Sequence, residues 1–191
     1  MGRKSLVEER RVAILAAFER CIARDGLDVP LDRIAEEAGM PRSLIRHYLG
    51  NRDEMVMQVV YQIATTYPER IVADLAQAAA RGEAALLDLF FGDGLTNPAW
   101  DEVLHAVLSA PPQRYPEARA TIAAMFQRIC DSLARVLGQL YPTAPSESCT
   151  ATAYGLLCLM LAHDDLRWLG LPLAHAQLAR SQALILLRAL A

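Results

Sequence analysis

The chain has 191 residues, is 53% hydrophobic and 21% charged, and carries 19 basic against 22 acidic side chains for a net charge of −3. That balance excludes intrinsic disorder, which needs low hydrophobicity or a large net charge, and a pI near 5.8 excludes a protein that coats nucleic acid indiscriminately. The longest apolar run, residues 151–162, falls short of the roughly 18 residues of a membrane span. The first residues lead into a charged amphipathic stretch rather than an apolar leader, so a cytoplasmic protein without a membrane partner is expected.

Alanine and leucine dominate and β-branched runs are scarce, so helices are expected throughout and strands nowhere. The first helix is predicted from Ser5 to Arg24, with Ser5 and Glu8 as a capping box and Gly26 as a left-handed stop. Its buried stripe is Ile14, Leu15, Phe18 and Ile22. A short helix over Leu31–Ala38 and another over Arg42–Leu49 follow, separated by Gly39-Met40-Pro41. A long helix then opens with Asn51 as cap and Asp53 and Glu54 in its first turn; Met55, Val59, Ile63 and Tyr67 keep helical spacing until Pro68 bends or ends it. Further helices are predicted over 83–91, 98–110, 116–141, 147–169 and 173–190.

Residues 151–162 are apolar around nearly the whole helix, and residues 183–191 almost as much so. A helix apolar on all sides has to be covered on all sides, and two such helices in succession point to a second subunit. Cys21, Cys130, Cys149 and Cys158 are scattered, without the close pair of a zinc knuckle or redox motif, and are expected to be reduced, packed thiols.

Residues 31–55 read as helix, glycine-containing turn, helix. Ala35 is small where two helices cross, Gly39 takes a turn conformation that a side chain opposes, and Ile34, Met40, Ile45 and Leu49 pack the pair. This is a helix-turn-helix, whose second helix can enter the major groove of DNA. Residues 1–52 hold ten Lys/Arg against eight Asp/Glu and residues 53–191 nine against fourteen, a mild polarity that favours phosphates at the N-terminal end.

In these residues the chain resembles the TetR family of bacterial transcriptional regulators. The resemblance is carried by Ile14-Leu15, Ala17-Phe18, Gly26, Ile34-Ala35, Ala38-Gly39, the run to Tyr48, and residues 50–54. It implies an all-α fold of about nine helices: a three-helix DNA-binding domain over residues 1–52 and a larger effector-binding and dimerisation domain over 53–191. It also implies a homodimer through the last two helices, a palindromic operator of double-stranded DNA, and release by a small-molecule effector. The chain departs from the pattern at Pro30 and Pro41, where relatives carry Ser or Thr, at Arg46 in place of a tyrosine, and at Leu49 in place of a phenylalanine.

Helical geometry puts residues 45 and 49 on the buried face, so Arg42, Ser43, Arg46 and His47, with Leu44 between them, project toward the groove. An Arg fork matches guanine O6 and N7. Tyr48 and Arg52 are placed for phosphates, as are the amides opening the helix after Asn51, and Lys4, the only lysine, sits on an N-terminal arm.

Ligand pockets are mostly apolar with a few orienting polar groups. The body offers Phe90, Phe91, Trp100, His105, Met125, Phe126, Tyr154, Cys158, His163 and Trp168, with Asp164, as candidate ligand contacts. Asp164 and Asp165 beside Trp168 suit a cation, although solvent, or an arginine such as Arg128 or Arg167, is the favoured partner. Metal spacing, a phosphate loop and a nucleophile elbow are absent from the sequence, so neither enzyme, metal nor cofactor is expected. The rival readings are a protein of this fold acting without specific DNA binding, and a helical enzyme.

Overall fold

Nine helices and no strand occur among the described residues of the computed structural model, which are 3–92, 97–168, 170, 172 and 174–191; for residues 3–5, 98, 167, 168 and 174 the backbone alone is described. Helix α1 (Arg3–Asp25) buries Ile14, Ala17, Phe18, Cys21 and Ile22, and Leu15 is only half-buried. Ser5 falls inside the first turn of α1, so it does not cap the helix. Gly26 ends it at φ 79°.

Helix α2 (Leu31–Ala38) and helix α3 (Arg42–Leu49) have the expected bounds. Gly39, at φ 62° and ψ 32°, lets its own amide reach Glu36 O at 3.1 Å while the Met40 amide reaches Ala35 O at 3.0 Å. This paired closure satisfies the last carbonyls of α2 and depends on a left-handed residue. Pro30 and Pro41 are the N-caps of α2 and α3, both at φ −62° and ψ 146°, without a side-chain cap. Each carbonyl still accepts the first helical bonds, Arg33 N to Pro30 O at 3.0 Å and Leu44 N to Pro41 O at 2.9 Å.

Helix α4 (Arg52–Ala80) continues past Pro68, so the proline, expected to bend or end the helix, does not end it. An interior proline costs about 3 kcal/mol. Beyond it the helix buries Ile71, Leu75 and Ala78, and each large apolar side chain returns roughly 1.5–3 kcal/mol, enough to carry the helix on. Its start holds a capping box: the Asn51 side chain accepts from Glu54 N at 3.0 Å and the Glu54 carboxylate accepts from Asn51 N at 2.6 Å.

Helices α5 (Glu83–Phe91), α6 (Pro98–Ser109), α7 (Pro116–Leu140), α8 (Ser146–Trp168) and α9 (Ala174–Arg188) complete the chain. Two compact units form, Met1–Thr66 with Asn97–Ala124, and Tyr67–Thr96 with Met125–Ala191. In the first, α1, α2 and α3 enclose Phe18, Ile34, Ile45 and Leu49. In the second, α9 packs on α5 and α8. Arg180 of α9 pairs with Asp88 of α5, and Leu186 comes within 3.5 Å of where a Cβ on Gly155 would stand. No helix among the described residues is long and apolar enough to cross a membrane.

Candidate nucleic-acid interface

Helix α3 has two chemically unlike faces. Ile45 and Leu49 are buried at 0% and 1% exposure, whereas Arg42, Ser43, Arg46 and His47 are all exposed. Leu44 is half-buried at the edge of that face. No acidic residue lies on α3, so its outward surface is uniformly cationic or neutral.

Arg42 is joined to Asp32 of α2 at 3.1 Å, with both side chains more than half exposed. Such a pair is worth about 0–1 kcal/mol and yields readily to a phosphate or a base edge. The Tyr48 ring meets His47 edge-on at 5.2 Å, and the Tyr48 hydroxyl accepts from Arg10 of α1 at 3.4 Å. Arg10 was not among the expected residues. The only signal for it was the Arg10-Arg11 pair on the first helix. The side chain of Lys4 lies outside the described residues.

Arg52 is engaged otherwise than expected. Its two terminal nitrogens donate to the carbonyls of Leu27 and Val29, and its guanidinium lies 6.0 Å from the centroid of the Phe18 ring. It clamps the α1–α2 loop to the first turn of α4 instead of offering those nitrogens outward. Of the amides after Asn51, expected to meet an anion, that of Glu54 is served by the Asn51 side chain, and Asp53 and Glu54 add negative charge there.

A second set of ties binds α1 to its neighbours in the first unit. Glu37 of α2 accepts from Arg20 at 2.7 Å and from Arg24 at 3.3 Å, and these hydrogen bonds hold its carboxyl below the usual carboxylate range. Trp100 of α6, a candidate ligand contact, instead donates its indole N–H to Glu19 of α1 at 3.2 Å. Burial pushes the Glu19 carboxyl up, and the indole bond offsets part of that. A carboxyl raised in the folded state contributes stability below its ordinary pKa and loses that contribution as pH rises through the folded value. Glu19→Gln keeps an acceptor for the indole. It is therefore expected to melt above the parent protein at pH 7 and together with it below about pH 4, as followed by thermal denaturation.

The other candidate ligand contacts are distributed. His105 on α6 is exposed. In the second unit Met125 is fully buried, Phe126 and Asp164 half-buried, and Tyr154 is 65% exposed with Cys158 exposed one turn further on. Burial accounts for Cys21, Cys130 and Cys149 as packed thiols, and Cys158 is the departure from that expectation. The side chain of Trp168 lies outside the described residues. His163 of α8, also offered by the sequence for a pocket, is 7% exposed and edge-on to Phe91 at 5.9 Å. Its Nε2 meets no hydrogen-bond partner among the described residues. No group of side chains suited to a metal ion occurs among them.

Around the second unit, α8 and α9 leave apolar stripes uncovered. On α8 they are Tyr154, Cys158 and Leu161, and on α9 Leu178 and Ile185, the last two 61% and 59% exposed. Spacings of four and three residues on α8 and of seven on α9 put each set on one helical face.

No family model matches the chain. Its sequence is 27% identical over 172 residues, 87% of this chain and 82% of the other, to the HTH-type transcriptional regulator BetI of Agrobacterium fabrum (strain C58 / ATCC 33970). A putative TetR-family transcriptional regulator from Mesorhizobium loti MAFF303099 superposes with a TM-score of 0.68 at 14% identity, covering 100% of this chain and 97% of that one. NalD, the secondary repressor of the MexAB-OprM multidrug efflux pump in Pseudomonas aeruginosa, superposes with a TM-score of 0.60 at 20% identity over 92% of this chain and 95% of its own. The resemblance carried by residues 10–56 thus extends, as fold, along nearly the whole chain.

Proposed function

We propose that this chain, a helix-turn-helix regulator with the TetR-family fold, is a homodimeric repressor that leaves a palindromic operator when a small molecule binds. The observation that carries this reading is the exposed face of α3, where Arg42, Ser43, Arg46 and His47 stand over a buried Ile45 and Leu49. Residues 1–52 hold the DNA-reading part and residues 53–191 the effector-binding and dimerising part. It acts in the cytoplasm, as a regulator and not an enzyme.

Arg46 reads a guanine, Arg42 leaves Asp32 for a base or phosphate, and Arg10 with Tyr48 grips the backbone beside them. The Arg46 fork is worth about 1–3 kcal/mol of discrimination. The dimer forms through the uncovered stripes of α8 and α9. In the second unit His163, buried with a ring nitrogen that meets no partner among the described residues, supplies the polar anchor that a mostly apolar effector pocket needs. The effector weakens DNA binding by the ratio of its affinities for the two conformers and no more.

Footprinting on the DNA flanking the gene tests this reading, with a protected palindrome as the expected outcome. Arg46→Ala is expected to reorder the preferred sequences, losing about 10-fold or more at its own position while leaving binding to unrelated duplex intact. An unchanged ranking of sequences would remove Arg46 as a base reader.

A further inference from the structure

The first unit holds an open cleft of about 590 Å3 between the α3–α4 junction and the start of α7. Cavities of roughly 300–1,000 Å3 are the size that takes small organic molecules. Tyr48, Met57 and Tyr115 supply its apolar wall. Asp53, Glu54 and Glu117 line it together with one cation, Arg114.

The chain already displays there the chemistry of the ligand it would accept. The Arg114 guanidinium lies 4.9 Å from the centroid of the Tyr115 ring and 3.6 Å from the Asp53 carboxylate. The ring and the carboxylate are fixed to each other, because buried Tyr115 donates its hydroxyl to Asp53 at 3.1 Å. The cation is not fixed: Arg114 is 50% exposed and Asp53 54%, and a pair so placed is worth about 0–1 kcal/mol. A planar, delocalised cation satisfies an aromatic face and a carboxylate together. An anion meets three carboxylates, and a neutral ring loses the charge terms.

We propose that this cleft is a binding site for small planar organic cations of the amidinium or guanidinium class, which take the place of Arg114 on Tyr115 and Asp53. The inference goes beyond the regulatory reading and is tested on the protein alone, so it stands or falls whether or not the chain binds DNA. Tyr48, the penultimate residue of α3, lines the same cleft, so an occupant touches the end of the reading helix.

Benzamidine titrated into the full-length protein and followed by amide NMR shifts tests it, with benzamide as the neutral isostere. Saturable shifts are expected at residues 48–58 and 114–117, with benzamide about ten-fold weaker or less. Asp53→Asn is expected to weaken benzamidine by a similar factor. Arg114→Ala, which vacates the place at an exposed position, is expected to tighten benzamidine several-fold. Equal binding of the two probes, shifts confined to other parts of the chain, or an Arg114→Ala protein that binds benzamidine no better would each overturn the assignment.

Discussion

Arg52→Ala is expected to lower the unfolding free energy by about 2–4 kcal/mol, the range for losing hydrogen bonds between a charged donor and partly buried carbonyls. The guanidinium donates to both Leu27 and Val29 and packs over Phe18. Removing it leaves two loop carbonyls without that donor and frees the α1–α2 connection from the first turn of α4. Arg52→Lys is expected to recover part of the loss, since an ammonium supplies donors but not the two-pronged fork. The alternative, an outward phosphate contact, predicts the opposite pattern: unchanged stability and a log K against log salt slope reduced by about 1. Denaturant unfolding and salt titration of DNA binding on the same variants separate the two. A fully stable Arg52→Ala protein with a shallower salt slope would return Arg52 to the DNA face.

Arg52 also marks where the sequence stops being legible. The helix-turn-helix could be read because each feature is local: glycine at a left-handed position, a cap three residues before a carboxylate, apolar residues at helical spacing. The division of α3 into a buried pair and an exposed cationic face follows from that spacing alone, and the structure keeps it. Arg52 looks outward by the same logic, but Phe18 and the carbonyls of Leu27 and Val29 lie 23 to 34 residues earlier in the chain. No local pattern announces that they converge on one guanidinium. Trp100 and Glu19 repeat the lesson across 81 residues. The continuation of α4 through Pro68 was obscured for a related reason, since a proline rule weighs only the local cost and the burial of Ile71 and Leu75 is a tertiary gain. Of the candidate ligand contacts, residue type offered no means of telling buried Met125 from exposed Tyr154. Helical phase against neighbours decides that, and α8 is apolar on too many sides for the sequence to show its phase.

Ile185→Glu is expected to convert the proposed dimer to a monomer and to cost about 10²–10⁴-fold in operator affinity, the usual gain from linking two binding modules. Ile185 is 59% exposed and shares the uncovered face of α9 with Leu178, and α8 leaves Tyr154, Cys158 and Leu161 uncovered in the same unit. A carboxylate placed there costs the single chain little, because the site is open to water. In a dimer it is buried without a partner, once for each subunit, and several kcal/mol per ion is the scale of that penalty. The loss then propagates to DNA, because two half-sites one helical turn apart, roughly 34–36 Å, bind tightly only when both reading helices arrive together. Sedimentation velocity reads the first step and mobility shift on a full and a half operator the second. The variant is expected to bind the two duplexes equally, while the parent prefers the full one. A dimeric Ile185→Glu protein with parental affinity would place the subunit contact elsewhere than on α8 and α9.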